Sequence, residues 1–165
     1  MENPVTSHRP GLRAAALFLA VALLALLLPA TARADAVIGT GTAASCTSQA
    51  AANDLSNAVA AGGTITFNCG PAMVTIVANT NATDKTVVVN GGGKVTLSGD
   101  NLRQIFFVFG TGNVTLNDLV LIDGDASQGG AIFVDTQARV TLNGSFVTSN
   151  KASSQGAGIY NKGTL

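Results

Sequence analysis

Among the acidic residues, Asp123 and Asp125 have the spacing most suggestive of chemistry. They flank Gly124 in a loop after the apolar run Leu119–Ile122. Asp118 precedes that run, and Asp135, Arg139 and Lys151 fall in neighbouring turns. Two carboxylates in one loop supply hard oxygen ligands, so Asp123 and Asp125 are the candidates for calcium, the one cofactor with any support. A paired set of aspartates also suits glycoside hydrolysis. The same Asp-Gly-Asp triplet is ordinary turn chemistry. The following repeat carries Ser149-Asn150-Lys151 at this place, so stacking of repeats builds no carboxylate cluster. Glu2 is the sole glutamate and His8 the sole histidine, and both lie in a segment expected to be removed. The remaining chain therefore lacks the residues of a His-based triad, a His-ligated zinc site or a Glu-based acid–base pair. No catalytic residue is assigned, and the inventory leans away from catalysis.

Other motifs read as architecture. Gly91-Gly92-Gly93 lacks the Lys-Ser/Thr and helix that complete a phosphate-binding loop, and suits a corner instead. Asn81-Ala82-Thr83, Asn113-Val114-Thr115 and Asn143-Gly144-Ser145 spell glycosylation sequons, the last two on strands or corners. Phe106, Phe107 and Phe109 offer rings for stacking on sugars, but at alternating spacing Phe107 and Phe109 share a face and suit stacking between turns. Nine Lys+Arg balance nine Asp+Glu, which removes the electrostatic case for a nucleic-acid partner.

The segment that would be removed is residues 1–36. Arg9 and Arg13 precede an apolar run from Ala14 to Leu28, and Pro29 leads into the small-residue triplets Ala30-Thr31-Ala32, Ala32-Arg33-Ala34 and Ala34-Asp35-Ala36. This is the charged, apolar and cleavable pattern of a secretory signal peptide, with three available cleavage positions. The apolar run is short for a bilayer span, and no transmembrane anchor is visible elsewhere. Export makes a disulfide the default for Cys46 and Cys69, an even count in an oxidising compartment. Two buried thiols are the alternative, and a metal site is the weakest reading, because no further soft ligand completes it.

These residues need elements to hold them. Residues 47–61 predict a helix, capped by Thr47 or Ser48, with Leu55 and Val59 on one face and Gly62-Gly63 at its stop. After Gly63 the pattern changes to period two, beginning with Thr64-Ile65-Thr66-Phe67. A tripeptide then recurs as Val74-Thr75-Ile76, Val95-Thr96-Leu97, Val114-Thr115-Leu116 and Val140-Thr141-Leu142, and Thr164-Leu165 begins a fifth copy. The threonines return at intervals of 21, 19, 26 and 23 residues, varying around the low twenties, the mark of a solenoid with unequal loops. Ile132-Phe133 matches Ile159-Tyr160, with Ile105–Val108 one turn earlier. Leucine-rich repeats need more leucines, a propeller blade needs a longer period, and a sandwich gives no reason for the tripeptide to return. A parallel β-helix does, because each turn stacks on the last at about 4.8 Å. Val74, Val95, Val114 and Val140, with Leu97, Leu116 and Leu142, are then expected as inward columns. Phe107, Phe133 and Tyr160 form an aromatic stack, and Asn117 and Asn143 an amide ladder at a corner. A right-handed coil follows from the usual crossover hand.

Cys46, the run Ala60–Gly70, Asn90-Gly91-Gly92-Gly93 with Val95–Gly99, and Gly129-Gly130-Ala131-Ile132 carry a family resemblance. The chain resembles right-handed parallel β-helix proteins of pectin-lyase-like architecture, and within them secreted bacterial proteins with polymorphic-outer-membrane-protein-type repeats. The resemblance spans residues 46–165, and Gly129–Ile132 is the G-G-A-I motif of that repeat. Gly156-Ala157-Gly158-Ile159 is a scrambled copy, and Phe146–Asn150 is one residue longer than the companion F-x-x-N motif. The resemblance implies an all-β, single-stranded right-handed coil of about four to five turns. It also implies an N-terminal α-helical cap, stapled to the first turn if Cys46 and Cys69 pair. The expected organisation is a signal peptide over 1–36, an N-terminal segment and capping helix over 37–63, and an incomplete set of β-helix repeats over 64–165. The chain stops inside a repeat, which is the expectation for a truncated fragment. The implied role is secretion or surface display, with adhesion to an extracellular polysaccharide or cell-surface ligand and no catalysis in this chain. The alternative is the N-terminal fragment of a polysaccharide lyase or glycoside hydrolase. In lyases of this fold, calcium and an Arg or Lys base remove a proton beside a uronate carboxylate.

Overall fold

The structure is a computed structural model that describes residues 35–165. The signal peptide expected over 1–36 therefore lies outside the described residues, apart from Asp35 and Ala36. The described chain is dominated by strands, with two short helices near its start.

The N-terminal part runs through β1 (Ala36–Ile38), α1 (Ala43–Cys46), α2 (Gln49–Ala61) and β2 (Gly63–Phe67). The helix expected over 47–61 is thus preceded by a separate turn of helix. Thr47 closes α1, and Ser48 caps α2 by accepting the Ala51 amide at 3.2 Å. Ala51, Ala52, Leu55 and Val59 bury one face of α2. The helix packs on β2 and on β4 (Asn81–Thr83), so its weak intrinsic stability is supplemented by tertiary contact. Gly62 ends it at φ 84°, a conformation that costs glycine little.

The rest is β3 (Val74–Val77), β5 (Thr86–Ser98), β6 (Phe106–Val108), β7 (Asn113–Ile122), β8 (Asp125–Gln128), β9 (Ile132–Val134), β10 (Arg139–Asn143), β11 (Phe146–Val147), β12 (Lys151–Gln155) and β13 (Ile159–Asn161). Three sheets result, ordered β1-β2-β5-β7-β10, β8-β12 and β4-β6-β9-β13, with β3 added to β5 and β11 to β7. All these pairings are parallel. Alternate residues are buried, giving the period-two pattern of strands with one face in the core. Phe106, Leu97, Leu116, Leu121 and Ile132 are among the fully buried side chains.

The repeated tripeptides do not share one column. Val74 and Leu97 belong to a set in which Val74 pairs Val95 and Ile76 pairs Leu97; Val95 and Leu97 then pair Leu119 and Leu121. Val114 and Leu116 pair Val87 and Val89 on one side and Val140 and Leu142 on the other. The cause is a bulge. Between Asn90↔Asn117 and Val95↔Leu119, four residues of β5 (Gly91 to Lys94) face a single residue of β7, Asp118. The tripeptide of β5 lies after the bulge and that of β7 before it, so equal sequence does not give equal height. The fifth copy is displaced as well: Thr164 bridges Arg139, not Thr141.

Gly91 explains why the bulge tolerates so close an approach. A β-carbon there would lie 2.5 Å from both the Asp118 carbonyl oxygen and Leu119 Cδ2. Gly92 and Gly93 follow at φ 61° and 70°, which turns the chain outward before Val95 re-enters the sheet.

Candidate binding cleft

Cys46 and Cys69 form a disulfide with Cα atoms 5.6 Å apart. It joins the end of α1 to the segment leaving β2. That segment and the β5 bulge are the two walls of a cleft of about 360 Å³. Thr66, Phe67, Cys69 and Gly70 line one wall; Asn90, Gly91, Gly92, Lys94 and Val95 line the other. The register sets Thr66 beside Asn90 on the outer face of the sheet. Asn90 is half-buried, whereas Lys94 is exposed.

The cleft closes one end of an amide ladder. Asn143 Nδ2 donates to Asn117 Oδ1 at 2.9 Å, and Asn117 Nδ2 donates to Asn90 Oδ1 at 2.7 Å. Asn90 therefore uses its oxygen within the ladder. Its own Nδ2 has no protein partner among the described residues. Lys94 makes no ion pair among the described residues, and no carboxylate of those residues lines the cleft. Asn90 and Lys94 bring side-chain donors to the lining, and Phe67, partly buried and packed against the core, belongs to its apolar part.

Sequence reasoning missed Thr66, Phe67, Asn90 and Lys94 as a group. Asn90 carried an available signal: it precedes Gly91 as Asn143 precedes Gly144, and its distance from Asn117 nearly equals that from Asn117 to Asn143. That offset marks the true height of the rung, which the tripeptide obscures.

The acidic candidates are placed elsewhere. Asp125 pairs with Lys151 at 3.3 Å, and Asp123 Oδ2 accepts from the Ser98 hydroxyl at 3.4 Å. Asp123 itself has φ 53°, the left-handed turn geometry that aspartate tolerates. Asp135 Oδ1 accepts from the Thr136 amide and hydroxyl. Among the described residues, no group of three or more His, Cys, Asp or Glu side chains is arranged to hold a metal ion. Asp84 has its carboxyl held below the usual range by hydrogen bonding to its neighbour Lys85.

The aromatic column is a second surface feature. Ring centroids lie 5.1 Å apart for Phe107 and Phe133 and 5.5 Å apart for Phe133 and Tyr160. Phe109 adds its ring 5.6 Å from Phe107, while Lys162 Nζ sits 5.6 Å from the Phe133 centroid and 5.8 Å from that of Tyr160. The rings contact one another along the column, which reduces the face area left for a ligand. Of the sequon asparagines, Asn81 is fully buried, with Nδ2 donating to the Ile105 carbonyl at 3.0 Å.

No described helix is long and apolar enough to cross a membrane. In comparison with known proteins, no family model, no curated protein and no solved structure matches the chain.

Proposed function

We propose that the chain is an exported, surface-displayed protein that binds an extracellular carbohydrate through the cleft between Phe67 and Lys94, without catalysing its cleavage. The single observation that carries this reading is the lining of the cleft: Thr66, Asn90 and Lys94 bring hydroxyl, amide and ammonium groups beside the apolar residues Phe67 and Val95, in a concave site. Binding sites for polyhydroxylated ligands combine a few placed polar groups with an apolar wall. The residues outside the leader contain neither histidine nor glutamate, and Asp123 and Asp125 are engaged separately by Ser98 and Lys151.

The scaffold in this reading is a right-handed parallel β-helix capped by α2. Successive strands of each sheet pair in parallel at similar intervals along the chain, as turns of one coil would. Ile65 follows Ala36, Val89 follows Ile65, Leu116 follows Val89 and Leu142 follows Leu116. The hand follows from the general preference of parallel crossovers. The secretory pattern of residues 1–36 supports export. The disulfide agrees with an oxidising destination. The resemblance of Gly129–Ile132 to the polymorphic-outer-membrane-protein repeat supports display at a surface.

Affinity electrophoresis of the exported chain through gels containing different polysaccharides tests the reading. Retardation is expected with at least one of them. Thr66→Trp, which fills the cleft with an indole, should abolish it while leaving the far-UV spectrum unchanged. Retardation by none of the gels overturns the binding role. Release of shortened sugar chains that is lost in Asp123→Ala would overturn the non-catalytic part.

A further inference from the structure

We infer that the cleft recognises an anionic group, a carboxylate or sulfate carried on the glycan, through Asn90 Nδ2 and Lys94. This rests on the binding role proposed above and names the chemistry of its ligand.

The direction of the amide ladder carries the inference. Both side-chain hydrogen bonds run the same way, from Asn143 to Asn117 and from Asn117 to Asn90. Three amide dipoles are therefore aligned, with the donor end at Asn90 and the acceptor end at Asn143. An amide whose oxygen accepts a hydrogen bond becomes a better donor at its nitrogen, so the bonds strengthen one another along the row. The leftover donor is Asn90 Nδ2, and Asn90 lines the cleft.

Lys94 adds a full charge on the same wall. Its neighbours along β5 are Gly93 and Val95, and the bulge separates it from the ladder partners of Asn90. The two ion pairs among the described residues are Lys85 with Asp84 and Lys151 with Asp125, so the Lys94 ammonium is not neutralised by a carboxylate there. A neutral sugar would satisfy the donor of Asn90 but leave this charge without a counterpart. An anionic oxygen answers both, since charge-assisted bonds are roughly twice as strong as neutral ones. Without residues 1–34 the chain holds six Lys and Arg against eight Asp, a formal net charge of −2, so the attraction is local to the cleft, and it weakens as salt screens an exposed ammonium.

The test compares neutral dextran, carboxylated hyaluronan and dextran sulfate in binding to the exported chain at low and high ionic strength. Inorganic sulfate is titrated separately, with the amide signals of Gly91 to Lys94 followed by NMR. Asn90→Asp keeps the oxygen that Asn117 needs but replaces the outward donor with negative charge. It should weaken binding of the charged polymers by about tenfold or more, and Lys94→Gln should weaken it by about fivefold, with folding retained in both. High salt should weaken wild-type binding and have less effect on Lys94→Gln. Equal binding of dextran and the charged polymers, unaffected by either variant, would overturn anion recognition while leaving carbohydrate binding in place. Sulfate shifts at Gly91–Lys94 without binding of any polymer would sustain the anion site and overturn the glycan reading. Absence of both would overturn the two together.

Discussion

At the scale of single residues, the amide ladder makes an asymmetric prediction. Asn90 acts within it only as an acceptor, whereas Asn117 both accepts and donates. Asn90→Asp should therefore leave the denaturation midpoint nearly unchanged. Asn117→Asp removes a donor and sets a carboxylate against the Asn90 oxygen, and should cost about 1–2 kcal/mol. Urea unfolding of the two variants distinguishes this from a row of independent surface asparagines, in which both would behave alike. The same scale explains what could be read without the structure. Two cysteines behind a secretory-signal pattern suffice to suggest their bridge, and that bridge is present between Cys46 and Cys69. Ile132-Phe133 and Ile159-Tyr160 repeat the same residue types and are paired directly. The cleft was not legible, because Thr66 and Asn90 meet only through a register that no short motif encodes.

At the scale of elements, the bulge in β5 is the feature that local pattern most obscured. Val95-Thr96-Leu97 and Val114-Thr115-Leu116 look equivalent, yet they lie on opposite sides of a bulge in which four residues of β5 face one of β7, a net insertion of three, and so fall in different rows. Hydrophobic alternation identifies a strand but carries no record of its height in the stack. Gly91→Ala should destabilise by about 1–3 kcal/mol, since its new methyl would overlap Asp118 and Leu119. A loss below that of Gly92→Ala, whose position is open but has positive φ, would contradict the close approach. The helices offer a separate test. Ser48→Ala removes the side-chain acceptor of the Ala51 amide and should cost about 1 kcal/mol, measured by thermal or urea unfolding.

For the whole molecule, the contacts of Asp35 and Ala36 with β2 bear on where the proposed signal peptide would be cut. Asp35 Oδ1 accepts the Thr64 amide at 3.1 Å, and Ala36 pairs with Ile65. Cleavage after Ala36 would remove both contacts, whereas cleavage after Ala34 preserves them. Cleavage after Ala32 preserves them too, so N-terminal sequencing of exported protein should begin at Arg33 or Asp35; a start at Val37 would contradict this. The disulfide acts over the same region. Replacing both cysteines by serine should cost about 3 kcal/mol in the chain-entropy account, read from the shift in urea midpoint. A smaller loss would mean that packing of α2 alone holds this end.

The even spacing of strand partners also has a mechanical consequence. Among the described residues, no strand pairing reaches further along the chain than that of β1 with β2, where Ala36 meets Ile65. The described residues, pulled from their two ends, therefore have no strand clasp between distant segments that must rupture before the rest gives way. They should peel from the C-terminal edge in small, nearly equal steps, each releasing about 80–90 Å of chain at roughly 3.4 Å per residue. The segment between Cys46 and Cys69 would stay out of that extension, so the total length recovered in an optical trap should fall short until a reductant is added.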